Sequence, residues 1–217
     1  MAFDLSPLFL SLKIALVAII IVFVLGLLAA RLCMGTRGHL TWFLDVLFTL
    51  PLVLPPTVVG FILLVLFGKN GWLGKILMSF DISIIFTPSA AVLASVVVAF
   101  PLMYRAAKGA FEQVDEEILW AARTLGLSEF KIFIKILIPE AWPGIMSGLI
   151  LAFTRALGEF GATLMIAGNI PKVTQTIPLA IYFATANGKL ELAALWTVII
   201  TLLSCVMLWA MNRYNRR

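Results

Sequence analysis

Five apolar stretches, at about residues 10–30, 42–67, 89–108, 142–167 and 192–211, carry so few charges that water is the wrong solvent for them. A helix rises 1.5 Å per residue, so about 20 apolar residues cross the ~30 Å hydrocarbon core of a bilayer. Of 217 residues, 62% are apolar and 12% charged, and the mean hydropathy is +1.09. Five spans leave no room for a large soluble domain. The expected class is an all-α polytopic membrane protein, one transmembrane domain over residues 1–217. The net charge of +5 is read as membrane anchoring, and no nucleic-acid partner is expected.

In the first stretch, Ile14–Ala30 is 17 residues long and covers only ~26 Å, so Leu10–Leu12 are expected to join it. Residues 1–10 are read as a weakly polar segment on the outer surface. Arg31 follows with no small-x-small site, and Arg31 and Leu32 precede Cys33, so an uncleaved helix is expected and not a signal peptide or lipoprotein leader. The second stretch contains Pro51, Pro55 and Pro56, which remove backbone donors and must kink or break it. Only Thr57–Phe67 is uninterrupted, so the proline region must help to cross, shielded by neighbours or lining a cavity. Pro88 precedes the third stretch and Pro101 lies near its inner end. Cys33 and Cys205 border or lie within spans and are expected as free thiols; His39 is the only histidine, and no metal site is expected.

Five spans put the two ends on opposite sides, and basic residues choose which. With the N-terminus outside, the inner side holds Arg31, Arg37, Arg105, Lys108, Arg123, Lys131, Lys135, Arg213, Arg216 and Arg217. The outer side holds Lys13, Lys69, Lys75, Lys172 and Lys189, and Arg155 lies inside a span. Ten against five predicts N-terminus out and C-terminus in, with residues 115–139 in the cytoplasm.

Those residues, DEEILWAARTLGLSEFKIFIKILIP, form the longest polar interval of the chain. Asp115 is a predicted helix cap, with Glu116 and Glu117 in the first turn and Arg123 in the last, each matching the helix dipole. Gly126 is expected to close this helix, because glycine accepts the left-handed conformation of a helix end. Ser128 is expected to cap a second helix, with Phe130, Phe133, Ile134 and Leu137 on one side and Pro139 ending it. A helix–glycine–helix element held between two membrane segments is shaped to dock on something.

The run Ala121, Ala122, Arg123, Thr124, Leu125, Gly126, followed by Ile136, Leu137, Ile138 and Pro139, resembles the EAA loop of ABC importer permeases. The family's glutamate is replaced by Trp120 and its leucine by Ile138, so any ion pair made by that acid must come from elsewhere, Glu116 and Glu117 being one turn earlier. The resemblance implies a type I importer permease fold in which Ala121 to Gly126, Ser128, Phe130, Ile136 and Pro139 couple to an ATPase. Ala121 and Ala122 would present a low surface to it.

In the fourth stretch, Gly144, Gly148, Ala152 and Ala156 repeat every four residues, a narrow ridge for packing either within one subunit or across a dimer seam. Arg155 and Glu159 lie one turn apart, where isolated charges are expensive but an i, i+4 pair is partly neutral. They either anchor the bundle or line the pathway. The surrounding Thr154–Thr163, Gly168–Pro171, Thr174–Pro178 and the proline-rich Leu50–Gly60 are similar to molybdate permeases. That resemblance covers roughly residues 40–185, with sulfate permeases near relatives and tungstate permeases more distant ones. It implies a homodimeric permease fed by an extracytoplasmic oxyanion-binding protein and driven by two cytoplasmic ATP-binding subunits. ATP and Mg would sit on those subunits, with no cofactor on this chain.

The residues agree with that division of labour. No GxxxxGK[ST] loop is present: before Gly74 and Lys75, position 69 is lysine, and Ile76 follows. A secondary transporter or channel would call for an internal repeat or ionisable residues embedded on several helices. An intramembrane enzyme would need a nucleophile–base or metal constellation, and Arg155 with Glu159 is the only embedded ionisable pair read from the sequence.

Overall fold

The computed structural model describes residues 4–35 and 38–215, in which the regular elements are all helical with no strand among them. Arg37, Arg216 and Arg217 of the charge count, and residues 1–3, lie outside the described residues. Helix α1 spans Ser6–Gly35, longer than the expected 10–30, and Ser6–Leu10 are helical rather than a surface segment. The next helices are α2 (His39–Val53), α3 (Pro56–Phe67), the short α4 (Trp72–Met78) and α5 (Pro88–Glu112). The polar interval forms α6 (Glu116–Thr124) and α7 (Glu129–Ile132), then a π turn over Phe133–Leu137 and α8 (Ile138–Glu140). Then come α9 (Trp142–Leu157), α10 (Gly161–Ala167), α11 (Ile177–Ala186) and α12 (Leu190–Asn215).

The centre is α1, α5 and α9. Ile14 clusters with Ala90, Ala91 and Ala94 at the start of α5, while Gly26 lies against Met103 further along it, so α1 and α5 run parallel. A methyl group on Gly26 would sit 2.6 Å from Met103 Cγ; glycine lets the two helices touch there. Helix α9 runs antiparallel to α5, with Gly144 against Ala110 and Gly148 against Ala106. A Cβ on Gly148 would lie 2.3 Å from that of Ala106. The small-residue ridge is therefore spent inside the subunit, with Ala152 and Ala156 buried in the same core. Helix α12 begins beside the start of α1, where Trp196 packs with Ile177, Ala180 and Leu8, and Leu203 and Met207 reach the central core.

Three helices, α1, α5 and α12 (over Leu190–Trp209), are long and apolar enough to cross a membrane unbroken. The other two expected spans are broken. Residues 42–67 turn by 111° between α2 and α3. Pro55 is the N-cap of α3 and Pro56 its first residue, so the α3 ladder cannot be continued backwards. Residues 142–167 stop at Gly158, and α10 restarts at Gly161. By length and composition the helices account for three spans, or five where each bent pair is one; the second such pair is residues Glu129–Glu140 with Trp142–Leu157, bent by 76°. Helix α11 had no counterpart in the sequence reading: its ten residues are too short to cross a bilayer. It is tied to α1 by the Ile177 amide donating to Ser11 Oγ at 2.8 Å.

Candidate functional site

The polar element is built by local chemistry. The Asp115 carboxylate accepts from the Glu117 amide at 2.9 Å, capping α6. Gly126 takes φ +77°, its amide donates to the Arg123 carbonyl, and the Leu127 amide donates to the Ala122 carbonyl. This pair of bonds is the Schellman closure, which satisfies carbonyls left over at the helix end. A Cβ on Gly126 would meet nothing within 4 Å, so its requirement for glycine is purely conformational. Ser128 Oγ accepts from the Lys131 amide at 3.4 Å and caps α7. The helix after it does not end at Pro139. It widens into a π turn, with the Ile138 amide reaching back to the Phe133 carbonyl, and continues to Glu140. The wider turn takes up the donor that Pro139 lacks and the ring clash it would otherwise make.

Glu129 ties this element together. Its Oε1 accepts from Arg123 Nε at 2.7 Å and its Oε2 from Arg31 Nη2 of α1 at 2.8 Å. It is the acid that binds Arg123 here, a role that the sequence alone did not assign. The hydrogen bond from Arg123, supported by Arg31, holds the Glu129 carboxyl below the usual carboxylate range. Ala122 is buried in the core with Leu119, Ile132 and Phe133, so it supports α6 from beneath, and the low outer surface expected of it is absent from the single chain. Ala121, Thr124 and Pro139 are exposed and Ile136 is half-buried. The most exposed of its large apolar groups are Trp120, Leu125 and Phe130, at 61%, 81% and 74% exposure.

The second site is the junction of the two broken passes. Arg155 Nη1 lies 2.6 Å from Glu159 Oε2, and the Glu159 side chain is only 1% exposed while that of Arg155 is 30% exposed. Glu159 is not within a continuous helix: it sits in the break, and its Oε1 accepts from the Ala162 amide of α10 at 2.8 Å. Gly161, the first residue of α10, packs on Pro56 and Thr57, the first residues of α3. Gly60 packs so closely on Ala162 that a Cβ would come within 2.7 Å of its Cα.

One embedded charge pair escaped the sequence reading. Asp45 of α2 accepts from Lys108 Nζ of α5 at 2.6 and 2.8 Å and also from the Tyr104 hydroxyl. A lone acid in the apolar run Trp42–Phe48 was the available signal; the partner lies 63 residues away.

A helical bundle with broken passes and a capped polar hairpin at one end is the architecture of an ABC importer permease. Its fold superimposes on inward-facing MetNI methionine ABC transporter chains with a TM-score of 0.73, covering 97% of this chain and 93% of that one at 18% identity. Residues 8–217 match the family described as "Binding-protein-dependent transport system inner membrane component", and the chain belongs to that family. It is 50% identical over 205 residues (94% of this chain, 90% of the relative) to YvgM of Bacillus subtilis (strain 168), whose name provisionally assigns it to a molybdenum transport system. To the molybdenum transport system permease protein ModB of Escherichia coli (strain K12) it is 43% identical, covering 89% and 86% of the two chains. The chain is thus a membrane permease and not an enzyme, ATP hydrolysis belonging to a separate subunit.

Proposed function

We propose that this chain is the permease of an ATP-driven molybdate importer, working as a homodimer with two cytoplasmic ATP-binding subunits and an extracytoplasmic oxyanion-binding protein. The relatives named for molybdenum transport support the substrate. The single observation that carries the coupling role is the capped hairpin whose apolar residues Trp120, Leu125 and Phe130 point away from its own core. An isolated monomer gains nothing by exposing these groups beside paired charges; a protein groove that buries them does. Arg31, at the end of α1, is bonded to this hairpin. With the basic majority on the same side, the hairpin and C-terminus are cytoplasmic and the N-terminus is outside.

The test is reconstitution of the permease with its ATPase and binding-protein partners in proteoliposomes. ATP-dependent uptake of molybdate is expected, measured beside tungstate and sulfate; preferential sulfate uptake would overturn the substrate. Leu125→Ser and Phe130→Ser are expected to insert normally and lose the ATPase subunit on purification. Retention of that subunit by both variants would remove the hairpin from the coupling interface. External labelling of a cysteine placed at Ser128 in intact cells would refute the orientation.

A further inference from the structure

Discontinuous helices inside a membrane are tolerated only where protein or a water-filled cavity covers the freed backbone. Here two breaks meet, with Gly161 of one seated on Pro56 and Thr57 of the other, and the ion pair of Arg155 and Glu159 lies at the second break. The two side chains are not equivalent. Glu159 is sealed in, with one oxygen fixed by the Ala162 amide and the other, without an aligned hydrogen bond, against Arg155. Arg155 has five donors, and beyond the contact of Nη1 with Glu159 no acceptor hydrogen-bonds its guanidinium among the described residues. Nearly a third of its side chain is exposed. A guanidinium facing hydrocarbon is costly, which favours protein or a polar passage over lipid on its open side.

We propose that Arg155, oriented by Glu159, is the anion contact of the translocation path, holding a tetrahedral oxyanion where the two broken passes meet. The planar fork of free donors matches two oxygens of such an ion. Glu159 keeps the guanidinium in place and, being an anion itself, weakens the hold. That suits a passage, where binding must be favourable enough to admit the ion and weak enough to release it. This inference rests on the oxyanion-importer reading above.

The experiment compares the reconstituted full complex carrying wild-type permease, Arg155→Gln, Arg155→Lys, and the double variant Arg155→Leu with Glu159→Leu. Complex recovery, ATPase stimulation by the molybdate-loaded binding protein, and molybdate uptake per ATP are measured. Arg155→Gln is expected to cut uptake per ATP by about tenfold or more, the loss of one charge-assisted hydrogen bond, and Arg155→Lys to fall between it and wild type. The double variant removes both charges, so it is expected to assemble and to hydrolyse ATP on stimulation, yet remain deficient in uptake. A double variant with wild-type uptake would show that the pair only anchors the bundle and would overturn the proposal. So would wild-type uptake per ATP by Arg155→Gln. If the wild-type complex takes up neither molybdate nor sulfate, the importer reading itself falls, and this inference with it; uptake by wild type that Arg155→Gln leaves unchanged refutes the inference alone.

Discussion

The polar hairpin of residues 115–139 and the junction of the broken passes both contain an arginine paired with a glutamate, but the surroundings give the pairs different weight. At the hairpin, Arg123 and Glu129 are about half exposed, at 44% and 53% of their side chains. Water screens such a pair, which contributes about 0–1 kcal/mol. At the junction, Glu159 is 1% exposed. Removing one partner of a buried pair leaves a charge without compensation, costing about 3–5 kcal/mol. The hairpin can therefore reshape against a partner with little loss, whereas the junction is fixed unless both charges move together.

Single substitutions at the junction should have the largest effect of those tested on the stability of the purified permease. Arg155→Leu, which strands the buried Glu159 carboxylate, should cost about 3–5 kcal/mol, Glu159→Leu less because Arg155 is partly exposed, and the double variant less than Arg155→Leu. Thermal unfolding in detergent checks this, and additive losses would show that each side chain has a separate partner.

Ala122→Leu comes next. Ala122 is 4% exposed among Leu119, Ile132 and Phe133, so three extra carbons overpack the hairpin core and cost about 1–3 kcal/mol. The loss should appear in the isolated permease, before any ATPase is added. A variant as stable as wild type but unable to bind the ATPase would return Ala122 to the docking surface.

The contrast between these sites explains what could be read from sequence. The hairpin is governed by neighbours in the chain: Asp115 and Ser128 cap, and Gly126 turns, because of residues two to four positions away. Its outward face was harder to read, because the side on which Ala122 falls depends on Ile132 and Phe133 packing beneath it. Pro139 looked like a terminator because a π turn leaves no compositional mark. The breaks are set from a distance. Gly161 needs Pro56, Gly60 needs Ala162, and Asp45 needs Lys108; the prolines announce the break in the second stretch, whereas the fourth reads as one continuous span. Gly144 and Gly148 were visible as a ridge, while their partner was not; only the placement of Ala110 and Ala106 assigns it to α5.

Gly126→Val should have a smaller effect on stability but a larger one on coupling. The new Cβ has open space around it, so the cost is the left-handed backbone alone, about 1–2 kcal/mol and more for a β-branched residue. Avoiding that cost means giving up the Schellman bonds and swinging α7 away from α6. ATPase association should be lost while membrane insertion is retained, with Lys131→Arg as an unaffected control. Gly126→Asn, which tolerates positive φ, should restore part of the association. Equal behaviour of valine and asparagine would show that the turn's conformation does not set the docking geometry.

The smallest effect should come from Glu129, and its sign with pH follows from its partners. The carboxyl is held below its usual value of 4.5, chiefly by the Arg123 hydrogen bond, with Arg31 contributing. A group whose folded value is lowered contributes stability above its unfolded value and loses it as pH falls through the folded one. Between pH 7 and pH 5 the hairpin should therefore be unchanged, and the contribution should fade only below about 4.5. Because the group is exposed, the total should stay below about 1 kcal/mol and shrink further in high salt. Glu129→Gln should match the acid-titrated wild type in thermal unfolding and flatten the dependence on pH. It should also loosen the hairpin from α1, since Arg31 loses the same carboxylate, and proteolysis in the 125–130 turn should quicken. A loss near pH 6, or one larger than that from the junction variants, would mean that Glu129 is shielded from water as Glu159 is, and the distinction between the two sites would collapse.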